Sequence, residues 1–198
     1  MAIATRTVTY NDQQTALTGV LAWDDGAPGP LPGLLLVHGG AGLDDHAKGQ
    51  ARRYAGHGYA VLAGDMFGEG VAGHRERVMA CLTGLRDDPP SLARRAQAGL
   101  AALAGCPETD GRLAAVGFCF GGLAVLTLAR SGADLAGVVS IHGSLATPRR
   151  TGSSSCTAAR CTASLIPAPS PAPCPGWPTT SAPTSGRSWP PGPSWPRR

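Results

Sequence analysis

The sequence lacks the features that mark several common classes of protein. No apolar run approaches the length of a membrane span, and the N-terminus lacks the apolar core of a secretion signal. A cytoplasmic protein with no membrane partner is therefore expected. The six cysteines never form a C-x-x-C pair, so neither a zinc site nor a disulfide framework is predicted, and no cofactor is implied. The G-x-S-x-G motif of serine esterases does not occur.

Acidic residues are missing from the C-terminal quarter of the chain. All 13 Asp and Glu residues lie at or before Asp134, whereas six arginines lie after residue 147. Residues 1–147 carry 11 basic and 13 acidic side chains, a balance that gives no indication of a nucleic-acid partner. The formal net charge of +4 is therefore a property of the tail.

The tail also differs from the rest of the chain in composition. Residues 148–198 contain 12 of the 18 prolines and three of the four tryptophans, but no Val, Tyr, Phe or Met. Such a composition cannot bury a core, which predicts an irregular segment. We therefore expect two parts, a folded domain over residues 1–147 and a Pro/Ser/Arg-rich tail over residues 148–198.

Before the tail, segments with strand and helix patterns alternate along the chain. This alternation predicts an α/β fold with a mostly parallel sheet covered by helices on both faces. The expected strands are 16–23, 33–37, 58–63, 112–116 and 135–141. The expected helices run from Asp44 or Asp45 to about Gly56, from a cap at Ser91 to Leu103, and from Leu123 to Arg130.

The most informative motif is the segment 117–122, Gly-Phe-Cys-Phe-Gly-Gly, which we call the elbow. It lies between a predicted strand and a predicted helix, with glycines two residues before and two residues after Cys119. A nucleophile elbow needs this spacing, because its reactive side chain sits on a sharp turn that only small neighbours allow. The partial positive charge of the following helix N-terminus favours a thiolate, the nucleophilic form of cysteine. Cys119 is therefore predicted to be a nucleophile.

Three segments together resemble the dienelactone hydrolase family: the elbow, the His38-Gly39-Gly40 loop, and residues 58–68. The resemblance covers residues 6–147 and implies the α/β-hydrolase fold. It also implies hydrolysis of a small-molecule ester or lactone, with Cys119 as the nucleophile of a Cys-His-Asp triad. The oxyanion formed in that reaction needs N–H donors from the residue after the nucleophile and from the loop after the third strand. Here these donors are Phe120 and, by resemblance, Gly40.

The chain departs from the family at the residues that should assist Cys119. Family members commonly carry His-Glu where this chain has His38-Gly39. In this fold an acid and then a histidine follow the nucleophile, but only Asp134 and His142 do so here. Asp134 is expected at the sheet edge opposite the elbow, whereas His142 is expected at the same edge and could act as a compensating base. The chain thus lacks an intact triad, and its activity is expected to be impaired.

The tail replaces the last strands that the family would have, so we expect a fold truncated at its C-terminal strands. One hypothesis is a shifted reading frame. A family-like continuation, Val-Leu-Val-Leu-His-Gly, in GC-rich codons read one base late gives Ser-Ser-Ser-Cys-Thr-Ala, the sequence of residues 153–158. The alternative function is a non-catalytic remnant or interaction protein whose Pro-rich basic tail binds a partner. The sequence does not indicate an oligomeric state.

Overall fold

The computed structural model describes residues 2–145, so the expected tail over residues 148–198 lies outside the described residues. Within 2–145 there are six strands and four helices, and none of these helices is long and apolar enough to cross a membrane. The strands are β1 (Ile3–Asp12), β2 (Thr15–Asp24), β3 (Leu31–Val37), β4 (Ala60–Gly64), β5 (Thr109–Phe118) and β6 (Gly137–Ile141). The helices are α1 (Asp45–Ala55), α2 (Arg75–Asp87), α3 (Pro89–Ala104) and α4 (Phe120–Arg130).

The strands form one sheet in the order β1-β2-β4-β3-β5-β6. The pairs β1/β2 and β2/β4 are antiparallel, and the three pairs among β4, β3, β5 and β6 are parallel. Val37 pairs with Gly64 on one side and with Gly117 on the other. The carboxyl ends of the central strands therefore meet at one edge, where α/β folds bind ligands. The predicted mostly parallel sheet is confirmed.

Helices cover both faces of the sheet, as predicted. Alternate side chains of β3 point to opposite faces, and all of its last five residues are buried. Leu34 and Leu36 pack in one apolar cluster with the alanines of α1, whereas Leu35 and Val37 pack in a second cluster with residues of α3 and α4. The central strands are thus buried on both sides, which explains their nearly continuous apolar sequences.

Three local expectations were incomplete or wrong. Strand β1 and helix α2 were not predicted. Helix α2 buries only Val78 and Leu85, so the apolar residues in its sequence show only a weak helical period. Asp88, not Ser91, caps α3, and its carboxylate accepts the Ser91 N–H at 3.2 Å. Because prolines fill the first two helical positions and have no N–H, Ser91 is the first residue that can donate to the cap.

A buried carboxylate anchors α3 beneath the carboxyl edge. The Asp12 side chain is 2 % exposed, and its oxygens accept hydrogen bonds from Arg94 at 2.8 Å and Arg95 at 3.0 Å. Burial alone would raise the pKa of Asp12, but the hydrogen bonds from the two guanidinium groups outweigh it, and the pKa is lowered. Arg95 also donates to the carbonyl of Met66 at 3.0 Å. The ion pairs thereby hold the loop that follows β4.

Candidate active site

Cys119 lies in a strained backbone conformation between β5 and α4. Its φ of 52° and ψ of −111° fall in a region that L-residues rarely occupy, and such a conformation costs about 1–3 kcal/mol. The side chain is exposed, and its sulfur has no hydrogen-bond partner among residues 2–145. The turn therefore presents a thiol to solvent at the carboxyl edge of the sheet, directly before the N-terminus of α4.

The glycines of the elbow are required by backbone contacts. A Cβ at Gly117 would overlap the carbonyl oxygen of Gly121. A Cβ at Gly121 would overlap the carbonyl oxygen of Val37 and lie 2.6 Å from that of His38. Backbone atoms cannot move aside as the end of a flexible side chain can. The sharp turn at Cys119 is therefore possible only because these positions carry no side chain.

The segment 38–42, which we call the β3 loop, runs beside the elbow. A Cβ at Gly39 would lie 3.8 Å from the Cβ of Cys119, so the Gly39 backbone is adjacent to the thiol-bearing residue. Within the described part of the chain, neither the Gly40 N–H nor the Phe120 N–H has a hydrogen-bond acceptor. The residue before Gly40 is thus adjacent to the residue before Phe120, and neither N–H group is used within the described residues.

His38 is the first residue of the β3 loop, and it is buried, with 1 % of its surface exposed. The Met66 N–H donates to its Nε2 at 3.1 Å, and its Nδ1 lies 2.7 Å from the Gly39 carbonyl oxygen. Burial lowers the pKa of His38, although the Gly39 hydrogen bond and the charges of Asp65 and Asp44 oppose that shift. Because the Met66 N–H needs a lone pair on Nε2, the imidazole that accepts it is neutral, and the approach of Asp65 to 3.9 Å is not an ion pair.

The two residues considered as triad substitutes lie in different places. Asp134 is exposed between α4 and β6, at the edge of the sheet opposite Cys119. His142 directly follows β6, at the same edge as Cys119, and the Cys119 N–H donates to the preceding carbonyl of Ile141 at 3.0 Å. His142 is exposed, with a φ of 45°, and makes no hydrogen bond to the Cys119 sulfur. Of these two residues, only His142 lies at the edge of the sheet that carries Cys119.

The burial of His38 and its hydrogen bonds were not predicted from the sequence, where His38 is only the first residue of a glycine-rich loop. One signal was available, since a histidine directly after a fully apolar strand lies at the carboxyl edge with its backbone still inside the core. Its partner Met66 follows a different strand, and only the parallel pairing of β3 with β4 brings the two together.

Comparison with known proteins identifies relatives over most of the chain. The model of the dienelactone hydrolase family matches residues 17–163, which extends past the domain boundary predicted at residue 147. The solved structure of a protein named m3DLH is 42 % identical, with a TM-score of 0.70, and the match covers 74 % of this chain and 62 % of that one. No functionally curated protein matches.

Two further solved structures are similar to this chain. A dienelactone hydrolase-like promiscuous phosphotriesterase from metagenomic libraries is 44 % identical, with a TM-score of 0.69, and the match covers 72 % of this chain and 60 % of that one. A dienelactone hydrolase from Anabaena variabilis, 23 % identical with a TM-score of 0.57, shares the fold over 72 % of this chain and 65 % of its own. The chain thus spans about three fifths of the length of m3DLH and of the phosphotriesterase.

Proposed function

Because the chain belongs to the dienelactone hydrolase family and is by family a hydrolase, we propose that Cys119 is the nucleophile that attacks a small-molecule ester or lactone. One observation carries this proposal: an exposed thiol stands on a strained turn beside two N–H groups that have no acceptor within residues 2–145. The thiolate would attack the carbonyl carbon, and the Phe120 and Gly40 N–H groups would bind the developing oxyanion.

We further propose that the reaction stalls after this step. Collapse of the tetrahedral intermediate expels the alkoxide or phenolate, which takes a proton from water, and leaves a thioester on Cys119. Hydrolysis of the thioester needs a base that activates water, a role that the triad histidine would fill. After Cys119 the sequence offers only His142 as a histidine and only Asp134 as an acid. His142 makes no hydrogen bond to the Cys119 sulfur, and Asp134 lies at the opposite edge. The acyl-enzyme would therefore accumulate, and turnover would be slow.

The experiment follows the first acylation instead of steady turnover. The full chain is mixed with p-nitrophenyl acetate, phenolate release is recorded, and intact mass and peptide mapping locate the acetyl group. We expect a burst that corresponds to one acetyl group on Cys119, followed by slow turnover. Cys119→Ala abolishes the burst. Cys81→Ala, which removes a half-buried thiol of α2, serves as the matched control and leaves it unchanged.

Two results would contradict this function. A burst that survives Cys119→Ala would place the nucleophile elsewhere. A folded protein that neither takes up the acetyl group nor reacts with a thiol reagent would favour the second candidate, a non-catalytic interaction protein. The composition of residues 148–198 favours that candidate, because a Pro-rich basic segment suits an aromatic-lined groove.

The substrate class can be extended with a second probe. Since a relative with 44 % identity is described as a promiscuous phosphotriesterase, an aryl phosphotriester is the second probe. Thiolate attack on phosphorus would form a P–S bond and expel the aryl oxide, and the negative charge that develops on the phosphoryl oxygen would be stabilised by the same two N–H donors. Release of aryl oxide that depends on Cys119 supports the extension, and release that does not depend on it rejects the extension.

Three expectations from the sequence stay predictions. They are the division of the chain at residue 147, the cytoplasmic location and the shifted reading frame of the tail. The coding DNA around codon 150 tests the last of these. A one-base shift that restores an apolar strand followed by an acid and a histidine supports it, and no such continuation in either other frame rejects it.

A further inference from the structure

A single peptide unit joins the β3 loop to the proposed oxyanion site. The carbonyl of Gly39 and the N–H of Gly40 belong to the same planar unit, and in a trans peptide they point in opposite directions. Whatever fixes the Gly39 oxygen therefore fixes the direction of the Gly40 N–H. The strongest contact to this oxygen comes from His38 Nδ1 at 2.7 Å, and the Gly42 N–H adds a longer one at 3.3 Å.

The surroundings of His38 select the tautomer that can make this contact. A backbone N–H can only donate, so the Met66 N–H requires a lone pair on Nε2 of His38. In a neutral imidazole the proton then lies on Nδ1, which can donate to Gly39. Asp65 does not compete for the ring, because its two carboxylate oxygens accept the N–H groups of Phe67 at 2.9 Å and Gly68 at 3.0 Å.

Aromatic contacts fix the plane of the imidazole. The Phe67 ring meets His38 edge-on with centroids 4.7 Å apart, and the Phe120 ring stacks on it at 6.4 Å. The two phenyl rings also contact each other at 5.4 Å. Phe120 carries the other proposed N–H donor and directly follows Cys119. His38 thus contacts the Gly39–Gly40 peptide unit through a hydrogen bond and the other donor residue through its ring.

We propose that His38 is a positioning residue. Its Nδ1–H holds the Gly39–Gly40 peptide unit so that the Gly40 N–H, and not the Gly39 carbonyl oxygen, faces the oxyanion. This inference rests on the proposed function of Cys119. Glycine-glycine peptide units rotate easily, since neither residue has a Cβ that restricts φ and ψ. In the rotated unit, the Gly39 carbonyl oxygen would face the developing negative charge and repel it. The hydrogen bond from His38 removes that alternative before substrate arrives.

Two substitutions of His38 separate its two hydrogen bonds. The amide of Asn reaches the position of Nδ1, so His38→Asn keeps a donor for Gly39 and loses the acceptor for Met66. The amide of Gln reaches the position of Nε2, so His38→Gln keeps the acceptor and loses the donor. The two variants are both neutral amides, and they differ in which bond survives. His57→Gln, at an exposed position after α1, is the matched surface control.

The rates of two reactions of Cys119 distinguish a positioning role of His38 from a purely structural one. Acylation by p-nitrophenyl acetate passes through an oxyanion, whereas alkylation by iodoacetamide displaces iodide and forms none. We expect His38→Gln to slow acylation by about 10- to 100-fold, which approaches the rate decrease caused by removing one oxyanion donor. We expect His38→Asn to stay within about threefold of the parent chain, as the retained donor predicts. Alkylation rates should be the same in the parent chain, both His38 variants and His57→Gln.

The failures of the two proposals are distinguishable. If the parent chain is not acylated at Cys119, the proposed function falls and this inference falls with it. If the parent chain is acylated and His38→Gln acylates equally fast, or slows alkylation to the same extent, only the inference falls. A measurement on the parent chain covers the case in which a variant does not fold. Nitrogen-15 NMR should show the Nδ1–H tautomer of His38 near neutral pH, and the Nε2–H tautomer would overturn the inference.

Discussion

The elbow and the β3 loop lie side by side at the carboxyl edge of the sheet, yet different interactions hold them. The elbow is held by close backbone contacts, with Gly121 against the carbonyl oxygens of Val37 and His38. The β3 loop is held by hydrogen bonds from one buried side chain, which donates to Gly39 and accepts from Met66. One segment is fixed by the absence of side chains, and the other by the presence of one.

This difference has consequences for how each segment tolerates change. A backbone contact leaves no room for even one methyl group, so a single added methyl group should strongly destabilise the elbow. A hydrogen bond can be weakened or replaced, so the β3 loop should change gradually and should respond to pH. The following predictions test this contrast, beginning with the largest expected effect.

Gly121→Ala should destabilise the fold by about 3 kcal/mol or more, because the new Cβ meets backbone oxygens that cannot move aside. Urea unfolding followed by circular dichroism measures the loss. Gly84→Ala in α2 is the matched control, since nothing lies within 4 Å of a Cβ at that position. Removing a helical glycine there should add about 0.5–1 kcal/mol. Equal effects of the two substitutions would show that the elbow is not held by close contact.

The stability contributed by His38 should depend on pH. Burial holds the pKa of His38 below its ordinary value, so below about pH 6.5 the unfolded chain takes up a proton that the folded chain does not. Stability is therefore fully present above that pH and falls with decreasing pH, by at most about 1.4 kcal/mol per pH unit, until the depressed pKa is reached. Urea unfolding between about pH 7 and pH 5 measures the slope.

The control for this pH dependence is His38→Asn, which removes the titrating ring and keeps the donor to Gly39. Its stability should vary less across the same pH interval than that of the parent chain. His57→Asn, at an exposed position, should keep the parent slope. A slope that persists unchanged in His38→Asn would assign the pH dependence to other groups.

Cys119→Gly should be more stable than Cys119→Ala by about 1 kcal/mol, because glycine relieves the strain of a φ of 52°. Thermal unfolding of the two variants measures the difference. The same pair of substitutions at Cys81, inside α2, should give the opposite order, since glycine weakens a helix by about 1 kcal/mol relative to alanine. An alanine variant at position 119 that is as stable as the glycine variant would show that the turn stores no strain.

Gly40→Ala should change stability by less than about 0.5 kcal/mol, because its Cβ meets only the end of the Leu82 side chain, at 3.2 Å. Leucine can adjust its rotamer where a carbonyl oxygen cannot. The same urea unfolding experiment measures the change, with Gly121→Ala as the reference. A loss as large as that of Gly121→Ala would remove the distinction between the elbow and the β3 loop.

The sequence predicted the elbow better than the β3 loop for a physical reason. Close backbone contact requires glycine at fixed spacing, so the constraint around Cys119 is visible in the residue types themselves. The role of His38 depends on Met66, whose N–H is brought close only by the pairing of β3 with β4. No spacing along the chain encodes that contact. The donor Gly40 came from resemblance to a family and not from its own residue type.

The fold itself was predictable where local patterns were strong. The apolar run of β3 and the strand-turn-helix around Cys119 predicted central parallel strands. From Ala4 to Asp12, strand β1 alternates exposed residues with buried or half-buried ones, but Arg6 and Asp12 on the less exposed side are charged, and the ladder with β2 supplies the rest of its order. Helix α2 has little apolar surface of its own and depends on the core beneath it. In both cases tertiary contacts stabilise a secondary structure that the local sequence favours only weakly.

The pairing of β3 with β5 also sets when the nucleophile acquires its geometry. The carbonyl oxygens that confine Gly121 belong to residues 37 and 38, far earlier in the chain, and the ion pair of Arg6 with Glu108 closes a separation of 102 positions. Closing such long loops is slow compared with forming local helices. During synthesis, Cys119 therefore leaves the ribosome as an ordinary cysteine, and the strained turn forms only when the distant strand docks.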